Sequence, residues 1–115
     1  MKRGNKRTFG REKQQRKAFL KGLLTALVSH GKIRTTTARA KTLKSVADKA
    51  VTQAKRGTLA SRRLLLRSLG ADAAAKLAKE IAPKFADRAG GYTRVIKLGR
   101  RGSDGSPVAI VEFVA

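Results

Sequence analysis

A small α+β domain is what this chain predicts, and three observations predict it. Four stretches carry apolar residues at helical spacing, each closed by a glycine or a proline. One short run, "KIRTTT", is rich in β-branched residues. The C-terminal third holds two apolar runs that read as consecutive strands around a glycine-rich connector. Together these give about four helices packed on one face of a small three-stranded sheet, mixed or antiparallel, preceded by an extended basic N-terminal tail. At 115 residues the chain is one domain's worth, divided into a basic extension over 1–8 and a single folded unit over 9–115.

The chain begins with "MKRGNKRT", which holds Lys2, Arg3, Lys6 and Arg7 with no apolar anchor beyond Met1, so alone it buries too little to order itself. From 11 to 29, a stretch that Arg11 opens, Phe19, Leu20, Leu23, Leu24, Leu27 and Val28 recur at the spacing of one helix face. The opposite face carries Lys13, Arg16, Lys17 and Lys21, and Gly31 is the natural stop. "AFLKGLLTALV" mimics the apolar core of a secretory signal, but Lys21 interrupts it. An arginine-rich presequence shares its amphipathic character. The periodicity merges with the pattern of the next segments, which favours a resident helix. No apolar run approaches the roughly 20 residues that span a bilayer.

"KIRTTT" over 32–37 predicts one brief strand, after which Thr36 or Thr37 caps a helix running to about 56. Ala40, Leu43, Ala47, Ala50 and Ala54 form its apolar stripe, widened by Val46 and Val51, and Gly57 ends it. A third helix over 59–69 contains Arg62 and Arg63 and stops at Gly70. A fourth starts near Asp72, a candidate N-cap, and shows Leu77, Ile81 and Phe85 at four-residue spacing. Pro83 kinks or ends it near Ala82. Strands over 92–98 and 108–114 then form a hairpin whose long loop, "GRRGSDGSP", includes Arg100 and Arg101.

Charge separates the function classes. Lys and Arg number 28 against 7 acids, a formal net charge of +21. Residues 1–57 hold 17 basic and 2 acidic side chains, and residues 58–115 hold 11 and 5. Such a charge repels itself in a compact state, so it implies an anionic partner. A few lysines would be read as a solvated face; a fourfold basic excess with a basic tail is read as a nucleic-acid surface, where each neutralised phosphate releases counterions. Arginine forks suit phosphate oxygens bidentately.

Catalysis finds no footing. His30 is the one histidine, just ahead of a helix-ending glycine, where a cap or a phosphate contact suits it better than general-base work. The acids are scattered, and Asp48 and Glu80 are expected to make ion pairs on helix surfaces. Cysteine is absent, so disulfides and thiolate metal sites are excluded. "GSDGS" offers one carboxylate, too few for a hard cation, and Gly99, Gly102 and Gly105 match no dinucleotide fingerprint. No catalytic group, cofactor, metal or small-molecule substrate is expected.

Among nucleic acids, folded RNA is favoured. No helix pair has compact helix-turn-helix spacing, and zinc fingers need cysteine. Of five aromatic residues, Phe19, Phe85 and Phe113 are expected in the core, which leaves no sheet platform for stacked bases. The stretch "RAGGYTR" over 88–94 concentrates the remaining signal. Gly90 and Gly91 let a second backbone approach closely, Tyr92 supplies a flat ring, and Arg88 and Arg94 flank it. A plain turn into the hairpin explains the glycines equally well; the arginines and tyrosine tip the reading to an RNA contact.

Three segments, "HGKIRTTTARAK" over 30–41, "SRRLL" over 61–65 and "APKFADRAGGYTRVIKLGRRGSDGSPVAIVEFV" over 82–114, resemble the bacterial large-subunit ribosomal protein L17 family. The likeness runs from about residue 7 to the C-terminus. It implies an α+β fold, binding to large-subunit ribosomal RNA, and neighbouring large-subunit proteins near the peptide exit side. It implies that the N-terminal basic residues and the arginines around the hairpin enter RNA, with His30, Thr35, Thr36 and Lys41 on family-like positions. It places the protein at the ribosome in a bacterial cytoplasm, leaving an organellar origin open. The N-terminus departs from the family: Met1-Lys2-Arg3 replaces Met-Arg-His, Gln15 precedes Arg16 where a His-Arg pair is usual, and Glu12 adds an acid. Two other classes compete, a DNA-compacting architectural protein, which charge alone allows, and a cationic membrane-active helix over 11–29.

Overall fold

The computed structural model describes the backbone of residues 2–100 and 107–114, with side chains described from residue 13 onward. Helix α1, Lys2–His30, starts earlier than the apolar spacing marks. The backbone of the expected basic extension over 1–8 is thus helical from Lys2, while the side chains of residues 1–12 lie outside the described residues. Gly31 closes α1, its N–H donating to the Leu27 carbonyl at 2.7 Å. Strand β1, Lys32–Thr36, comes directly after it.

Helix α2, Thr37–Arg56, is capped by Thr36, whose hydroxyl accepts from the Arg39 N–H at 3.4 Å. It ends at Gly57, at φ +67°, a left-handed conformation that glycine adopts without steric penalty. Thr58 caps α3, Leu59–Ser68, through the Ser61 N–H at 3.1 Å. Helix α4, Ala71–Lys76, is capped by Gly70, so Asp72 lies in the first turn rather than at the cap. There its carboxylate still opposes the positive end of the helix dipole.

Proline chemistry sets the course of the chain beyond α4. Pro83 has no N–H to continue the ladder, and its ring crowds the preceding turn. The helix widens into a π-turn at Leu77–Ile81, where the Ala82 N–H reaches the Leu77 carbonyl, and then tightens into a 3₁₀ turn at Ala82–Phe85. Strands β2, Thr93–Arg100, and β3, Pro107–Phe113, complete the chain. The sheet order is β1-β3-β2 with both pairs antiparallel, so the C-terminal strand is central. A register shift between Lys97 and Gly99 bulges the end of β2.

Helices lie on one face of this sheet. Ile33, Val95, Ala109, Val111 and Phe113 point into the core with Leu24, Leu27 and Val28 of α1 and Leu77, Ile81 and Phe85 of the last helical stretch. Helix α2 runs through the middle, its buried Ala40, Ala47, Ala50 and Ala54 letting neighbouring backbones come close. The alternation of strand side chains sends Arg34, Ile110 and Ile96, aligned across the three strands, to the opposite face. Phe19, expected in the core, is instead 47% exposed. It lies ahead of the point where α1 meets the core at Leu24, so its place in the apolar stripe continues past the packed surface. Among the described residues, no helix is long and apolar enough to cross a membrane.

Candidate nucleic-acid interface

The turn over 88–94 is built around Asp48, 44 residues before Tyr92 on α2. One carboxylate oxygen of Asp48 accepts from the Tyr92 N–H and the Thr93 N–H, both at 3.2 Å, and from the Thr93 hydroxyl at 2.9 Å. The other pairs with the Lys44 ammonium at 2.8 Å, as a helix-surface pair at i, i+4 should. Of the two helix-surface ion pairs expected from sequence, that of Asp48 is present and Glu80 forms none among the described residues, and the larger role of Asp48 is to anchor the entry to β2.

Lys55, nearly two turns further along α2, secures the other side. Its ammonium donates to the Arg88 carbonyl and to the Tyr92 hydroxyl, the latter at 3.2 Å. Tyr92 in turn donates to the Arg88 carbonyl at 3.1 Å, and Lys55 stands 5.1 Å from the ring centroid. The hydrogen bond from the Lys55 ammonium draws the Tyr92 phenol below its ordinary range by favouring the phenolate, against the opposing effect of burial. Gly91 takes φ +64° to bring the chain round.

This geometry corrects one expectation. Tyr92 is 1% exposed, its ring edge-on to Phe85 at 5.1 Å between centroids, so it offers no face to a base. Its hydroxyl is satisfied by Arg88 and Lys55, which is what allows the ring to enter the core. The flanking arginines stay at the surface. Arg88 turns Nε back to the Gly90 carbonyl at 3.2 Å. Arg94 pairs with Glu112 across the strands through Nε at 2.7 Å, with 59% of its side chain open to solvent. Gly90 is exposed, and a Cβ placed there would meet no atom within 4 Å.

The other residues singled out from sequence divide into three groups. His30, Lys41, Arg62 and Arg63 are exposed, at the end of α1, on α2 and on α3, as are Arg16 on α1 and Arg100 at the end of β2. Thr35 is buried in β1 and Thr36 is committed to its cap, so both serve the fold at the α1–α2 connection. Lys2, Arg3, Lys6, Arg7, Arg11 and Arg101 have side chains outside the described residues.

One feature escaped the sequence. Arg39 of α2 lies over the Phe19 ring with its guanidinium carbon 4.5 Å from the centroid. The pair opens on a groove of about 650 Å³ that Gln15, Arg16, Ala38 and Thr42 also line. The available signal was the position of Phe19 at the outer end of its stripe, and nothing in sequence pairs it with Arg39. Among the described residues, no three His, Asp or Glu side chains converge as a metal site.

The family model described as "Ribosomal protein L17" matches residues 19–114. The "Large ribosomal subunit protein bL17" of Thermodesulfovibrio yellowstonii is 52% identical over 109 residues, covering 94% of this chain and 82% of the relative. Those of Moorella thermoacetica and Clostridium botulinum (strain Loch Maree) are each 50% identical over 109 residues, covering 94% of this chain and 97% and 96% of the relatives.

Proposed function

This chain belongs to the ribosomal protein L17 family, and from that premise we propose that it is a structural constituent of the large ribosomal subunit that binds and stabilises folded large-subunit ribosomal RNA. The family is one of structural ribosomal proteins, and the chain is not an enzyme. Neighbouring large-subunit proteins are its further partners, and the ribosome of a bacterial cytoplasm is its place of work.

The observation that carries this reading is the charge. With 28 basic residues and 7 acidic ones, three-quarters of the cations would lack an acidic partner even if every acid were paired. Arg94 and Lys44 take Glu112 and Asp48, while Lys41, Arg62 and Arg63 stand among the exposed groups. Polyphosphate supplies the missing counter-charge, and a rigid scaffold fixes where each cation meets it. Arg88 and Arg94, held at the two ends of one internally anchored turn, suit neighbouring phosphates, with Gly90 between them leaving room for a close backbone.

The test is association in the cell. Tagged protein should co-sediment with large subunits through a moderate-salt wash and leave them only at high salt. Recovery on chromosomal DNA with no ribosome association would overturn the proposal in favour of a DNA-compacting role.

A further inference from the structure

Phe19 and Arg39 form an exposed stack that the fold does not need. Leu24, Leu27 and Val28 seat α1 in the core, while Phe19 remains 47% exposed with Arg39 at 4.5 Å on its ring. A single exposed apolar side chain is ordinary. An exposed phenyl ring already stacked on a guanidinium, in an open groove, within a chain of net charge +21, is a more specific arrangement. The groove's volume of about 650 Å³ exceeds what one base needs. Gln15 and Arg16 stand one turn before Phe19 on the same face of α1, and Thr42 stands one turn after Arg39 on α2. The small side chain of Ala38 leaves the α2 wall low.

We propose that this groove receives one unpaired nucleobase of bound RNA, which joins the stack begun by Phe19 and Arg39. The inference rests on the reading that the chain binds RNA, and it adds a base-stacking site to what charge alone would require. Every base has a flat face, so aromatic rings and guanidinium planes capture splayed-out bases with little regard to sequence. The Gln15 amide can meet a base edge, the Thr42 hydroxyl, which donates to the Ala38 carbonyl at 3.3 Å, keeps its oxygen to accept from one, and Arg16 lies where the attached phosphate would find a cation. An anionic strand suits this groove because its charged groups are basic.

The chain contains no tryptophan, so Phe19→Trp in the full-length protein creates a single indole reporter at the site. The probes are a short single-stranded oligoadenylate and a blunt RNA duplex with equal phosphate number, each carrying a dye whose anisotropy reports binding independently. At saturation the single strand should quench indole emission roughly twofold or more, as base stacking does, while the duplex leaves it nearly unchanged. Bound single strand with unchanged emission, or equal quenching by both RNAs, overturns the stacking site while leaving RNA binding intact. Failure of both RNAs to bind overturns the RNA-binding reading itself.

Phe19→Ala supplies the energetic check. It should weaken single-strand binding roughly 5- to 100-fold, the loss typical of one stacked base, with no change in the salt slope. Arg16→Ala should lower the slope by about one. A Phe19→Ala protein that is folded at the assay temperature and binds the oligoadenylate as tightly as the parent also overturns the site.

Discussion

Two aromatic rings in this protein carry a cation at nearly the same distance, and they do opposite things. Lys55 stands 5.1 Å from the centroid of Tyr92, and Arg39 stands 4.5 Å from that of Phe19. The first ring is 1% exposed and the second 47%. What separates them is where their polar neighbours bond. Lys55 and the Tyr92 hydroxyl both meet the Arg88 carbonyl, and Asp48 takes the backbone N–H groups of Tyr92 and Thr93. That cation–ring pair is enclosed by its own chain and becomes part of the core. Phe19 has no hydroxyl with which to bind backbone, and its pair stays open at the surface.

The largest expected effect breaks the comparison at its two rings. Tyr92→Ala removes a fully buried aromatic and should destabilise the fold by about 3–5 kcal/mol. Phe19→Ala should lower stability by about 0.5–1 kcal/mol, the worth of an exposed cation–π contact. Urea denaturation of both variants measures the pair. Equal losses would mean that the groove ring is as structural as the turn ring, and the contrast would fail.

Next comes the anchor. Asp48→Ala leaves three donors at the start of β2 without their acceptor, and Thr93 is buried where water does not reach freely. The expected loss is about 2–3 kcal/mol, lowering the melting temperature on the order of 10 °C. Asp48→Asn keeps a neutral acceptor oxygen and should lose roughly half as much. A normal melt for Asp48→Ala would show that packing alone holds the turn.

The same contrast explains what was legible in the sequence. Helix and strand identities came through because Leu24, Leu27 and Leu43 sit in stripes of helical spacing, and because glycines and Pro83 punctuate each stretch. The central position of β3 was not legible, since its pairing with β1 joins segments at opposite ends of the folded unit. Phe19 and Tyr92 were assigned the wrong environments for one reason. Periodicity places a side chain on a face but does not show where the neighbouring element stops covering that face. Tyr92 beside arginines resembles a surface ring until Lys55 and Asp48, far upstream in the chain, close over it. In both cases the deciding partner lies on α2, and one-dimensional spacing carries no trace of it.

The smallest effect on stability sharpens the comparison most, because it separates fold from binding within two adjacent residues. Gly91 takes φ +64°, so Gly91→Ala forces a side chain into the left-handed region and should cost about 1 kcal/mol. Gly90 has no positive φ, and a Cβ there meets nothing within 4 Å. Gly90→Ala should therefore change stability by less than about 0.5 kcal/mol. Between Arg88 and Arg94, however, an added methyl stands where an RNA backbone would come closest. RNA affinity should fall for Gly90→Ala while its melt matches the parent, measured by filter binding and circular dichroism on the same preparations. Unchanged affinity would reduce Gly90 to a passive part of the turn, leaving Gly91 as the residue that the bend requires.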